Sequence, residues 1–534
     1  MIWLVLVIVL AAFLSWYLFV RPMNHFTKMG VKQHRPRPFF GNQLKLTFQQ
    51  QSFLEFIEDI YNYFPGSRYG GVYQFIAPLL IIRDPDLIRQ ICIKDFDHFT
   101  DHRNFFDIES DPLVAGNLFA LKGQKWREMR ATLSGSFTSS KMKNMFHLMN
   151  EAAENFVNHF IDKKENLVEI ELKDAFTRYT NDVIATTAFG IKVDSMADPE
   201  NEFYVMGKKT TNVSGLLTTL KFFGAMIIPK LFKILKIKFF SDDILAFFRS
   251  IVNQSIKFRE EKNIVRPDMI NQLLEVRNGF KQDVKSQEEI ILDTGFATVK
   301  ESAHLGKFKQ LKNLTNDDIT AQALLFFFAG FDSISTVICF GSYELAVNKD
   351  VQDKLREEIR ETHESNNGKL TYESLLKMKY MDMVVSETLR KWPPAGGTDR
   401  VVTQPYTIEP LTPDESPVHL KVGDVIFFPT IGYHRDPAYY PDPLKFDPER
   451  FSDENKGSIP PYAYTPFGVG PRNCIGSRFA LLEVKAMFYH LILNFEIVPI
   501  KTSKIPLKLS TKSLNPLAEG GFWFGLKRVS NDVQ

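Results

Sequence analysis

The stretch PFGVGPRNCIGSRFALLE, residues 466–483, holds one of the three cysteines in a chain of 534 residues. Cys474 stands between Gly470 and Gly476, beside Arg472, and an apolar-periodic run that reads as a helix follows directly. A cysteine at a helix start meets unpaired N–H groups and the positive end of the helix dipole. Both favour thiolate over thiol. The glycines let the backbone come close to whatever the sulfur binds, and Arg472 adds a fixed positive charge. Such a sulfur can serve as a nucleophile, a redox thiol or a metal ligand. A nucleophile wants a histidine base, and none is local. A redox dithiol wants a second cysteine nearby, and there is none. A single axial ligand to a metal already held by a macrocycle needs neither.

The other two cysteines, Cys92 in LIRQICIKDF and Cys339 in STVICFGSYE, have apolar neighbours and read as buried packing residues. An odd, sparse set is no disulfide framework and fits a reducing compartment. Apolar residues make up 44% of the chain, enough for a large core, and 48 phenylalanines point to an aromatic-rich interior or a membrane-facing surface. The net charge of +2 gives no reason to expect a nucleic-acid partner. The length suggests two to four domains or one large one.

Ile2–Val20 carries no charge, and nineteen residues nearly cross a hydrocarbon core about 30 Å thick. No basic stretch precedes it and no small-residue cleavage site follows, so a retained anchor over residues 1–20 is expected rather than a cleaved signal. Arg21, Lys28, Lys32, Arg35 and Arg37 come after it, which puts the rest of the chain in the cytosol. Residues 21–50 read as a basic, proline-stiffened linker and residues 51–534 as the catalytic domain. Asn212, Asn253 and Asn313 lie in glycosylation sequons that this topology keeps from the lumen.

Most of the remainder reads as helix, with strand-like pieces in YQFIAPLLIIRD and DVIFFPT: a mainly α chain with a small β-rich part. Residues 281–313, rich in Lys, Glu and Gln, read as a solvated connection. A helix is expected from Asn316 to about Ala346, opened by a capping box of Thr315 and Asp318. Its apolar middle is too short to span a bilayer. Asp332, Ser333, Ser335 and Thr336 then put a carboxylate and hydroxyls inside an apolar helix. Either the hydroxyls bond back to the preceding turn, or they form a polar notch beside a reaction centre, with Ala329-Gly330 admitting something large to the backbone.

Taken together these segments resemble one family. Phe467, Gly470, Arg472, Cys474 and Gly476 match the haem-binding loop of the cytochrome P450 monooxygenases. Trp126 and Arg130 match its W-x-x-x-R pair, Ala329 to Ser333 its oxygen-activation segment, and Glu387 with Arg390 its E-x-x-R pair. FDPERF supplies Arg450. The resemblance runs over residues 35–530, and FTSSKMKNMF and GPRNCIGSRFALLE are similar to insect microsomal members.

The resemblance implies haem b held between a long central helix and the cysteine loop, with Cys474 as the proximal iron ligand whose thiolate pushes electron density onto the iron. Phe467 would shield the sulfur. Trp126, Arg130, Arg400 and Arg472 would reach the haem propionates, with a further contact from His102 or Arg103. Glu387, Arg390 and Arg450 would form a buried ion network. Asp332 and Ser333 would sit on the oxygen side. The family usually has Thr where this chain has Ser333, which keeps the hydroxyl, loses its methyl and puts coupling in doubt.

The implied activity is insertion of one atom of O2 into lipophilic substrates, xenobiotics such as insecticides or plant toxins first. The electrons would come from NADPH through a separate reductase flavoprotein, with cytochrome b5 as a further donor, because the chain has no G-x-G-x-x-G of its own. An endogenous hormone or fatty-acid hydroxylase, a haem-thiolate isomerase or dehydratase, and a non-catalytic haem protein are the alternatives. The endoplasmic reticulum membrane is the expected location. Two surfaces suit partners: the lysine-bearing apolar stretch 221–240 for the bilayer, and Lys122, Lys125, Arg127, Lys141, Lys143 and Arg478 for an acidic donor protein. Asn104-Phe105-Phe106 and residues 211–225 would wall the substrate pocket. His98 and His102 have metal-site spacing but lack a third ligand.

Overall fold

Thr315 opens the longest helix, Asn316–Val347. Its hydroxyl accepts the Asp318 N–H at 3.1 Å, and the Asp318 carboxylate accepts the Thr315 N–H at 2.9 Å. This is the capping box expected from the sequence. The helix has 32 residues and is two-thirds buried, so it is a core helix although it is long and apolar enough to cross a membrane. The helices Leu172–Ile184, Glu202–Thr211, Asp242–Lys262, Lys379–Lys391 and Ser477–Asn494 pack around it. The computed structural model describes residues 2–103, 112–212, 241–266, 268–279, 295–299 and 314–529, with Leu311 and single positions between 215 and 240. Asn104-Phe105-Phe106, Asn313 and most of 213–240 and 281–313 lie outside the described residues.

Phenylalanines fill the interior beside this helix. The ring of Phe327 lies 5.2 Å from Phe203, 5.1 Å from Phe248 and 5.0 Å from Phe331. Such pairs add about 0.5–1.5 kcal/mol each beyond their burial. Gly330, read as a place for a large group to approach, serves the neighbouring helix instead. A Cβ there would lie 2.7 Å from Ile184 Cδ1.

Among the described residues the β part consists of three sheets. Strands β1 (Tyr69–Gln74), β2 (Ala77–Ile82), β7 (Val425–Phe428) and β4 (Thr398–Val401) form the largest, in the order β1-β2-β7-β4. β3 (Leu167–Glu171), β9 (Trp523–Arg528) and β8 (Phe495–Val498) form the second, and β5 (Tyr406–Ile408) pairs with β6 (Val418–Leu420). Leu80 pairs with Ile426 and Val168 with Leu526. Early and late parts of the chain therefore share sheets.

Residues 21–50 differ from the expected linker. Met23, Phe26, Val31 and Leu46 are buried, and backbone bonds join Lys32 O and His34 N to Gly71. The apolar side chains among the basic ones seat this segment on β1, so it is part of the domain. A helical run of 27 residues, Ile2–Lys28, leads into this seated segment, and its most apolar window, with a mean hydropathy of 2.5, is wholly unburied. By length and composition it suffices to cross a membrane.

Candidate functional site

Cys474 is accessible yet surrounded by protein, so its sulfur borders interior space rather than the outer surface. Its N–H donates to Phe467 O at 2.8 Å, which closes the loop on itself. Gly470, at φ +74°, is required for a reason the sequence did not reveal: a Cβ there would lie 1.9 Å from Cys92 O. The loop thus presses on the Cys92 turn, whereas nothing crowds Gly476 closer than 3.9 Å. Ser333, on the central helix, and Phe467, on the cysteine loop, line one cavity together with Ile334, Val337, Leu389 and Ala480. Helix and loop face each other across it.

Three arginines are buried beside the loop. Arg130 lies on the same helix face as Trp126 in Gly123–Ser134, as their spacing predicts. It donates to Asn473 O at 2.8 Å and Asn473 Oδ1 at 2.6 Å, so it fixes the residue next to Cys474. Arg472 lies with its Cζ 4.0 Å above the Trp126 ring and donates to the carbonyls of Thr100 and Leu121, both at 2.7 Å. Arg400, on β4, donates to Asp399 O at 2.6 Å and leaves its Nε without a partner. Among the described residues two acids are in reach. Asp101 lies 3.5 Å from Arg472, and Asp399 is occupied by His102 at 3.0 Å and Arg103 at 3.6 Å. Burial, then the neighbouring Arg400, push the Arg472 guanidinium down to about 8.

Glu387, Arg390 and Arg450 come together. Arg390 Nε and Nη2 donate to the two Glu387 oxygens at 2.6 and 2.8 Å, and neither side chain has any exposure. Arg450 Nε lies 3.5 Å from Glu387 Oε1. The network reaches further, because Arg390 also donates to His434 O and Pro443 O, both at 2.9 Å.

A family model described as Cytochrome P450 matches residues 31–519. The chain belongs to the cytochrome P450 family. It is 44% identical over 525 residues to "Cytochrome P450 9e2" of Blattella germanica, covering 95% of each chain. It is 43% identical to "Probable cytochrome P450 9f2" of Drosophila melanogaster, covering 94% of this chain and 95% of that one. It is 36% identical to "Cytochrome P450 6j1" of Blattella germanica, covering 99% of both. This P450 is a haem-thiolate monooxygenase that uses haem b and electrons supplied by a reductase.

The residues present fit that cofactor. The orphaned Arg400 Nε and the buried Arg472 guanidinium suit propionate carboxylates. Cys474 is the one cysteine of this P450 that is not buried. Its thiol is pushed up by burial, against the Gly476 N–H and Arg130. His102 is turned to Asp399, and its ring stacks on Phe119 at 4.4 Å.

The polar notch also has an unexpected occupant. Ser333, Ser335 and Thr336 all bond back to the preceding turn, Ser333 to Ala329 O at 2.5 Å. Lys173, from 159 residues earlier, lies 2.9 Å from Asp332 Oδ1 and donates to Ser335 Oγ and Thr336 Oγ1, both at 2.8 Å. Asn515 Nδ2 donates to Asp332 Oδ2 at 2.8 Å. Sequence reasoning missed Lys173, Asn473 and Asn515, since no local spacing links them to their partners. Among the described residues no cluster of three or more His, Cys, Asp or Glu could hold a metal ion, and His98 faces Pro405 O instead.

His102 and His434 are buried in this region, and His490 is half-buried behind it. Burial pushes His102 down to about 4, His434 to about 3 and His490 to about 4. His434 must stay neutral, because its Nε2 accepts the Thr465 N–H at 2.9 Å. Unfolded imidazoles titrate near about 6.5. Below that value the unfolded chain binds protons that the folded chain refuses, so stability falls with pH until the folded histidines titrate as well. Denaturant unfolding of the holoprotein is expected to show a lower midpoint at pH 5 than at pH 7. The gap should narrow in His434→Gln, and equal midpoints in the parent would contradict the buried-neutral assignment.

Proposed function

We propose that this P450 hydroxylates lipophilic xenobiotics, insecticides or plant toxins foremost, at the endoplasmic reticulum membrane, with its catalytic domain in the cytosol. The cavity shared by Ser333 and Phe467 carries this reading, because it places a hydroxyl of the central helix opposite the cysteine loop. When bound there, haem with an axial thiolate supplies the activation of oxygen.

The chain's own groups do the rest. Cys474 would ligate the iron, and Phe467 would shield the sulfur. Arg400, Arg472 and Arg130 would hold the propionates, with Trp126 beneath the Arg472 guanidinium. Ser333 keeps its hydroxyl at the cavity wall, where it would hand protons inward. Asp332, held by Lys173 and Asn515, would be the acid behind it. Glu387, Arg390 and Arg450 would act by keeping the loop side rigid. An apolar, Phe-rich setting suits a hydrophobic substrate.

The exposed apolar stretch that begins at Ile2 supports a single anchor, and the basic residues from Arg21 onward support a cytosolic domain. Of the stretch 221–240, the described Leu231, Ile234 and Leu235 are exposed, which suits contact with lipid. Lys122 and Lys125 are exposed on the Trp126 helix and suit an acidic reductase or cytochrome b5. The rest of that basic face is partly spent: Arg127 pairs with Asp97 at 2.7 Å, Lys143 with Glu373, and Lys141 lies 3.8 Å from Glu275.

The test is turnover by the full chain in vesicles with NADPH and purified reductase. Oxygenated products of lipophilic substrates are expected. Peroxide rearrangement without reductase, or no oxygen uptake beyond that of reductase alone, would contradict the reading. In the same assay Ser333→Ala is expected to raise the peroxide released per NADPH consumed, because a positioned proton donor is lost. Unchanged coupling would remove Ser333 from the proton path.

A further inference from the structure

The connection between the helices Met269–Arg277 and Asn316–Val347 touches the body of the protein at a place the reaction does not call for. The Phe296 N–H donates to Asp382 Oδ2 at 2.9 Å, and the Phe296 ring packs 5.2 Å from Phe451 and 5.4 Å from Tyr464. Gly295 has φ +140°, and a Cβ there would lie 1.8 Å from Asp382 Oδ1, so only glycine allows this approach. Asp382 Oδ1 in turn accepts from Lys485 Nζ at 2.8 Å, and Lys485 is buried. The Thr298 N–H donates to Gly295 O at 3.0 Å, and Ala297 is buried. A tight turn is thus seated in a receptor made of two rings and an ion pair.

That receptor belongs to the elements that carry the cysteine loop. Asp382 shares a helix with Glu387 and Arg390, Phe451 follows Arg450, and Lys485 lies on the helix that Cys474 precedes. Tyr464 stands two residues ahead of Pro466. From Tyr464 the path to the sulfur is short. The Gly468 N–H donates to Thr465 O at 3.0 Å, and the Cys474 N–H donates to Phe467 O.

We propose that Gly295–Ala297 is a plug that fixes Tyr464 and, through it, the Cys474 loop, so that Phe296 is a positioning residue for the iron ligand. The proposal rests on the reading of Cys474 as that ligand. Its test uses the full-length holoprotein. Under mild warming, the ferrous carbonyl spectrum is followed from its thiolate-type to its thiol-type absorption, alongside helix melting by circular dichroism. In Phe296→Ala and Gly295→Val the conversion is expected to run about tenfold faster, the scale of two lost ring contacts. Helix melting should stay unchanged, and Phe296→Tyr, which keeps the ring, should restore the slow rate. Variants that convert at the parent's rate, or only in step with earlier helix melting, would overturn the proposal alone. A parent that never shows the thiolate-type band would overturn the Cys474 reading, and this proposal with it.

Discussion

Glu387→Ala is expected to cost about 3–5 kcal/mol of stability, the range for removing one member of a buried ion pair. The cause lies in what stays behind. Arg390 has no exposure and would lose both carboxylate oxygens, retaining only carbonyl partners. The Asp447 N–H, which donates to Glu387 Oε1 at 2.9 Å, would lose its acceptor, and Arg450 its nearest acid. Burial alone raises the Glu387 carboxyl, and Arg390 is the first group that opposes this. Neither partner is comfortable without the other. Denaturant melts should show the loss, and most of the expressed chain should lack haem. A Glu387→Ala protein within about 1 kcal/mol of the parent would mean that the network is held from elsewhere.

Cys474→Ser is expected to lower substrate oxidation to the level seen with reductase alone, while the fold survives. The exchange removes one sulfur and leaves the backbone bond from Cys474 N to Phe467 O and the Arg130 contacts to Asn473 untouched. Serine's alcohol oxygen does not supply the electron push of a thiolate. The remaining cysteines cannot stand in. Cys92 and Cys339 are buried, and burial raises both thiols. Retained turnover in the variant would mean that another group serves the iron.

What the sequence disclosed was local. Glu387 and Arg390 lie three apart on one helix, and Trp126 and Arg130 four apart. Spacing alone puts each pair on one face. The capping box at Thr315 and the cysteine loop are likewise short-range patterns. Contacts made across the chain stayed hidden. Gly330 and Gly470 were legible as glycines that admit a neighbour, but not that the neighbours are Ile184 and the Cys92 carbonyl. Lys173 sits 159 residues from Asp332 and carries no local mark of its role. The prolines and basic residues of 21–50 read as a linker, because their packing partner, β1, is defined only by the folded sheet.

The direct test of the central claim, that the sulfur of Cys474 binds the haem iron, is iron-edge X-ray absorption of the ferric holoprotein beside its Cys474→Ser variant. A sulfur neighbour of iron in the parent and none in the variant is the predicted result. A sulfur signal that persists in Cys474→Ser, or is missing from the parent, would contradict it.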